Sequence, residues 1–116
     1  MFRSNYNDTR MRSSYILKDR VHHVSRRKLS QNYPNPFNPN TTIEYQVDRF
    51  GAVELTVYDI LGRKIRTLLD AEQIPGRYRL QWDGLADDGT AAASGIYLYR
   101  LQAGTFSETR RLTLLK

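Results

Sequence analysis

Residues 32–42 read Asn-Tyr-Pro-Asn-Pro-Phe-Asn-Pro-Asn-Thr-Thr and hold three of the chain's four prolines. Pro34, Pro36 and Pro39 each lack a backbone N–H and push the preceding residue toward extended geometry, so no helix can run here. A central strand is excluded for the same reason. What remains is an extended collar punctuated by turns. Tyr33 and Phe37 are its expected apolar anchors, and its Asn side chains are expected to bond their own backbone.

The chain differs on either side of this collar. Residues 1–28 hold eight Lys or Arg against two Asp, which is the whole formal excess of +6. Residues 29–116 hold ten basic and ten acidic residues. The basic charge therefore marks an arm, not a fold, which argues against a nucleic-acid-binding domain. We read 1–28 as a flexible basic arm or linker and 29–116 as one small domain. A weak apolar stripe from Ser14, the pair His22–His23 and the run Arg26-Arg27-Lys28 read as solvated surface; two histidines without a third ligand make no metal site. No cysteine is present, so disulfides and thiolate metal sites are excluded. No segment approaches the roughly 18 apolar residues of a membrane helix. Residues 1–28 contain no signal-peptide apolar core either.

After the collar the apolar pattern has period two. Ile43, Tyr45 and Val47 predict a first strand; Val53, Leu55 and Val57 a second. A turn at Asp59-Ile60-Leu61-Gly62 leads into a third over Lys64–Leu69, with Ile65 and Leu68 facing the core. Residues 70–76 predict a loop. Tyr78, Leu80 and Trp82 predict the next strand, and Ala91–Ala93 a short edge segment. Ile96–Leu101 predicts a strand buried on both faces, and Phe106–Leu115 a closing strand with Leu112 and Leu114 inward. About seven short strands with glycine turns predict an all-β, immunoglobulin-like sandwich of antiparallel strands without a disulfide.

Catalytic chemistry is poorly provided for. Both histidines lie in the arm, so the domain holds no Ser–His or Cys–His pair. Asp59, Asp83, Asp87 and Asp88 sit in apparent turns, where Asx bonds explain them. The loop Asp83–Gly89 is acidic, but its spacing does not match an EF-hand. Trp82, Tyr97 and Tyr99 alternate with other residues in the manner of core aromatics, not of a sugar platform. The expectation is a non-enzyme with no cofactor, no metal, no nucleic-acid partner and no membrane span.

Several motifs resemble one family. Tyr33-Pro34-Asn35-Pro36-Phe37-Asn38-Pro39-Asn40-Thr41-Thr42-Ile43 looks like the start of a type A C-terminal sorting domain of the type IX secretion system. Val57-Tyr58-Asp59-Ile60-Leu61-Gly62-Arg63, Trp82-Asp83-Gly84 and Ser94-Gly95-Ile96-Tyr97-Leu98-Tyr99-Arg100-Leu101 resemble its later motifs. The ending Leu114-Leu115-Lys116 is similar to its basic-tipped last strand. The pattern also resembles the immunoglobulin-like domain of the flagellar hook-capping protein. The resemblance implies a sorting and anchoring module at the C-terminus of a secreted cargo, recognised by an outer-membrane translocon and often removed by a sortase-like protease. It implies a secreted or cell-surface location as part of a larger precursor. Family members carry a signal peptide and a cargo domain upstream, so this chain reads as a fragment.

The alternative is a structural or carbohydrate-binding sandwich of a surface or hook-cap-like protein. Under the sorting reading, the last strand has an open edge, because nothing follows to cover it. Arg110, Arg111, Leu112, Leu114, Leu115 and Lys116 are then the expected recognition residues, and the rest of the domain is their scaffold.

Overall fold

The computed structural model describes residues 27–116. The Ser14 stripe, His22, His23 and Arg26 lie outside them. Seven strands follow in order: β1 (Lys28–Leu29), β2 (Thr41–Val47), β3 (Gly51–Asp59), β4 (Lys64–Gln73), β5 (Gly76–Trp82), β6 (Gly95–Ala103) and β7 (Phe106–Leu114). They form two antiparallel sheets, β1-β2-β5 and β4-β3-β6-β7. This is the expected sandwich.

Alternation builds the core. In β2 every second residue from Thr41 to Val47 is buried. Opposite, Val53, Leu55 and Val57 of β3 and Tyr97, Tyr99 and Leu101 of β6 face inward, joined by Leu112 and Leu114 of β7. Trp82 is fully buried, 5.6 Å from Phe37 and 5.6 Å edge-on to Tyr97. Such rings dominate a small core, because each removes a large apolar area from water.

Four expectations need correction. Strand β4 runs on through Gln73, where a loop over 70–76 was expected. Leu69 and Ala71 stay opposite Leu55 and Val53, while Asp70 and Glu72 face solvent, so the alternation continues past the first acidic residue. Two register shifts, at Ile65 and Leu68, disguise it. The Ala91–Ala93 segment makes a single bridge, Leu85 to Ala91, and no strand. Strand β6 is buried on one face only: Ile96 is 45% exposed, because among the described residues no third layer covers that sheet. The seventh strand is the two-residue β1, which has no apolar alternation to announce it.

Arg27 and Lys28, which the charge pattern puts in the arm, are on the sandwich. The Arg27 guanidinium donates to the Ala103 carbonyl at 2.8 Å and pairs with Asp48 at 3.1 Å. It also lies over the Phe106 ring.

Candidate recognition surface

One hydroxyl ties the start of the collar to the core. Tyr99 Oη accepts the Asn32 N–H at 2.8 Å and donates to the Ser30 carbonyl at 2.7 Å. Burial pushes the Tyr99 phenol up to about 12. The Asn32 side chain is itself buried. Its Nδ2 donates to Thr41 Oγ1 at 2.9 Å and to the Pro34 carbonyl at 3.2 Å. Thr41 Oγ1 donates to the same carbonyl at 3.0 Å. Asn32 thus serves its neighbourhood much as expected of a collar asparagine, but Asn35 does not: its Oδ1 accepts the Thr113 N–H at 2.9 Å. Phe37 is buried, as an anchor should be, while Tyr33 is 49% exposed and donates its hydroxyl to Glu44 at 2.8 Å.

The terminal strand is not open along the last part of its edge, residues 111–115. Phe37 bridges Leu114 in parallel register, its N–H donating to the Thr113 carbonyl and its carbonyl accepting the Leu115 N–H, each at 3.0 Å. Gln31 Nε2 donates to the Arg111 carbonyl at 2.9 Å. Arg110 Nε donates to the Leu29 carbonyl at 2.6 Å, and Glu108 accepts the Leu29 N–H at 3.3 Å. The collar and Gln31 thus cover the end of the edge that was expected to be bare. An uncovered strand edge leaves polar backbone without partners, and the prolines keep this stretch extended enough to supply them.

The six expected recognition residues separate into three groups. Leu112 and Leu114 are core. Arg110 is half-buried and paired with Glu108 at 3.2 Å. Arg111, Leu115 and Lys116 are exposed. Beside them is Ile96, which faces Thr113 on the outer face, and beyond the Asp59–Tyr97 pair come exposed Ile60 and Leu61. The chain therefore ends in a corner that is apolar with basic tips. Sequence reasoning put Ile96 in a buried face; the pair Ile96 and Leu98, ahead of Arg100 on the same side of the strand, was the only signal of an apolar outer corner.

The remaining motif residues build turns and core. Asp59 Oδ1 accepts the N–H groups of Leu61 and Arg63 at 2.9 Å each, and Oδ2 pairs with Arg63 at 2.7 Å. The backbone bond from Arg63 leads the causes that hold the Asp59 carboxyl below the usual carboxylate range. Gly62, at φ +86°, completes this tip in a conformation that L residues rarely adopt. Gly95 opens β6. Tyr97 donates to the Ala93 carbonyl at 2.6 Å, and Trp82 Nε1 to that of Leu85 at 2.9 Å.

The acidic loop is occupied by protein. Arg66 lies 3.6 Å from Asp83 and 3.9 Å from Asp87, and Asp87 Oδ1 also accepts the Thr67 N–H at 3.1 Å. Asp88 is turned onto Thr90. Among the described residues no group of three or more His, Cys, Asp or Glu is placed to hold a metal. On the outer face of the three-stranded sheet, a polar trough of about 440 Å³ runs between Lys28, Arg77 and Arg79. Its one carboxylate, Glu44, is engaged by Tyr33 and by Arg79 at 3.0 Å.

Comparisons with known proteins agree with this architecture. The profile of the FlgD Ig-like domain matches residues 39–106. No curated protein matches the chain. Among solved structures, dimeric latent PorU from Porphyromonas gingivalis superposes with a TM-score of 0.62 at 17% identity, over 82% of this chain and 10% of PorU. PorZ of the same organism, described as an essential bacterial surface component of the type-IX secretion system, gives 0.51 at 21% identity over 78% of this chain and 11% of PorZ. FlgD from P. aeruginosa gives 0.50 at 17% identity over 81% of this chain and 74% of that one. The chain thus spans about a tenth of the length of the first two.

Proposed function

Because the chain belongs to the FlgD Ig-like domain family, we propose that it works as a non-catalytic sorting and anchoring module, which directs a cargo through the type IX secretion system to the cell surface. The observation that carries this reading is the union of the collar motif with the terminal strand. Phe37 clamps Thr113 and Leu115, so the first and last motifs of the domain form one structure that presents Arg111, Leu115 and Lys116 to solvent. A scaffold whose stiff collar fixes its last strand fits a module that is read at that strand. The likeness in fold to PorU and PorZ is in keeping with it. Its partners would be the outer-membrane translocon and a sortase-like protease implied by the resemblance, and its location the cell surface or medium, as part of a larger precursor.

The carbohydrate-binding reading loses the aromatics that suggested it: Trp82, Tyr97 and Tyr99 are in the core.

A fluorescent reporter with a periplasmic signal peptide, fused ahead of residues 27–116 in a host with type IX secretion, tests the proposal. Export with the domain, and periplasmic retention without it, is the expected result. Retention of a soluble, folded fusion would overturn it.

A further inference from the structure

The two sides of the sandwich are unlike. On the β1/β7 side the last residues of the edge, 111–115, are closed by Gln31, Asn35 and Phe37. On the β5/β4 side Asp87 caps β4 at Ile65 and Thr67, and the edge is open beyond them toward Gln73 and along β5. Ser30 donates to the Glu44 carbonyl, so Ile43 and Tyr45 turn their backbone groups toward β5 and pair with Leu80 and Tyr78. Alternation then points the N–H and C=O groups of Arg77, Arg79 and Gln81 outward. Likewise Asp59 bonds to Arg63 across the hairpin, so Leu55 and Val53 face Leu69 and Ala71 of β4. That leaves the backbone groups of Asp70 and Glu72 pointing outward. Among the described residues nothing caps either set.

The charges on these two edges are opposite. Arg77 and Arg79 stand on the outer face of β5, Asp70 and Glu72 on the outer face of β4, and all four are exposed. Among the described residues Asp70, Glu72 and Arg77 have no ion-pair partner, and Arg79 shares Glu44. The edges are also level, because only Ile74 and Pro75 separate Gln73 of β4 from Gly76 of β5.

We propose that the open side is a dimer interface between two copies of this chain, in which β5 of each copy pairs antiparallel with β4 of the other. A two-fold axis parallel to the strands exchanges the sheets but keeps each residue at its own level. It therefore sets Arg77 opposite Glu72 and Arg79 opposite Asp70 of the partner copy. Directly opposed residues of unlike charge support an antiparallel pair, and like charges oppose it. A two-fold axis perpendicular to the sheets would set β5 against β5, arginine facing arginine, and β4 against β4, carboxylate facing carboxylate. The charge pattern selects the first arrangement. Charged residues on an edge usually guard against indiscriminate pairing; opposite signs on two adjacent edges restrict pairing to a strand of complementary pattern. Apolar surface is also covered in the dimer: Ile74, 66% exposed, lies beside the axis, with half-buried Tyr78 and Leu80 along it. The closed isologous geometry satisfies both edges of this side at once.

Sedimentation equilibrium on the full chain in low salt tests this. The mass should rise with concentration from 13.5 kDa toward twice that value, and the association should weaken as salt screens the exposed pairs. D70K/E72K makes both edges basic, and R77E/R79E makes both acidic. Each variant should remain monomeric with an unchanged far-UV spectrum, and R77E alone should weaken the dimer without touching Glu44's partner. Mixed in equal amounts, the two double variants should dimerise again. A wild-type chain that stays monomeric at about 1 mM would overturn the proposal. So would variants that dimerise like wild type, or a mixture that does not associate.

Discussion

Tyr99 holds Asn32 through its hydroxyl: the Asn32 N–H donates to it at 2.8 Å, and the same oxygen donates onward to the Ser30 carbonyl at 2.7 Å. A core strand thereby fixes the start of the collar, and the collar in turn fixes the end of the chain. Tyr99→Phe keeps the ring and strands both backbone groups in a buried place. We expect a loss of about 1–3 kcal/mol in urea unfolding, the cost of leaving a buried polar group without its partner. A change within experimental error would mean the collar is held by its other contacts alone.

Alkaline pH should loosen the same join. Burial pushes both Tyr99 and Tyr45 up to about 12 from an ordinary value of 10.0. A raised folded-state value stabilises the protein fully below the unfolded value, and that stabilisation is lost as pH rises through the folded one. Stability should therefore be unaffected by these groups below about pH 10 and fall between about pH 10 and 12. Tyrosinate absorbance near 295 nm, followed together with circular dichroism, reads both events. Tyr99→Phe and Tyr45→Phe should each make the fall shallower.

Much of the fold was legible because alternation is a local signal. Ile43-Glu44-Tyr45-Gln46-Val47 states its two faces within five residues, and the structure uses them as written. Three features were not legible for three physical reasons. The end of β4 was hidden because the bulges at Ile65 and Leu68 break the period, and Asp70 suggests a turn. Strand β1 was hidden because it owes its pairing to β2 rather than to its own sequence. The covered edge of β7 was hidden because the contact joins Asn35 and Phe37 to residues more than 75 positions away. In the candidate surface, Leu112 and Leu114 were read correctly as inward, whereas the apolar corner at Ile60, Leu61 and Ile96 depends on which neighbours are missing, and no local pattern records that.

Tyr97 should behave as a core residue. It is 7% exposed and packs edge-on to Trp82. Tyr97→Ala should cost about 3–5 kcal/mol, as large aromatic deletions do. Tyr97→Phe, which loses only the bond to the Ala93 carbonyl, should cost about 0.5–1.5 kcal/mol. Equal losses in the two variants would show that the hydroxyl, not the ring, is the important part.

The boundary of the domain can be placed by truncation. Removing residues 1–26 should change the unfolding free energy by less than about 1 kcal/mol. Removing residues 1–29 also deletes Arg27, with its bonds to Asp48 and Ala103, and the fully buried Leu29. That should cost about 2–5 kcal/mol more, as a core leucine deletion does. Equal stability of the two truncated chains would contradict the docking of this segment.

The central claim is that the exposed end of the terminal strand is read by the secretion machinery while the rest of the domain holds it in place. The direct measurement is export of a reporter fused to residues 27–116 in a type IX host, comparing wild type with R111E/K116E. Both side chains are exposed, so the variant should melt at the wild-type temperature. The account predicts that the wild-type fusion reaches the outside of the cell and that the folded R111E/K116E fusion is held in the periplasm. Export of the charge-reversed fusion at the wild-type level would contradict it.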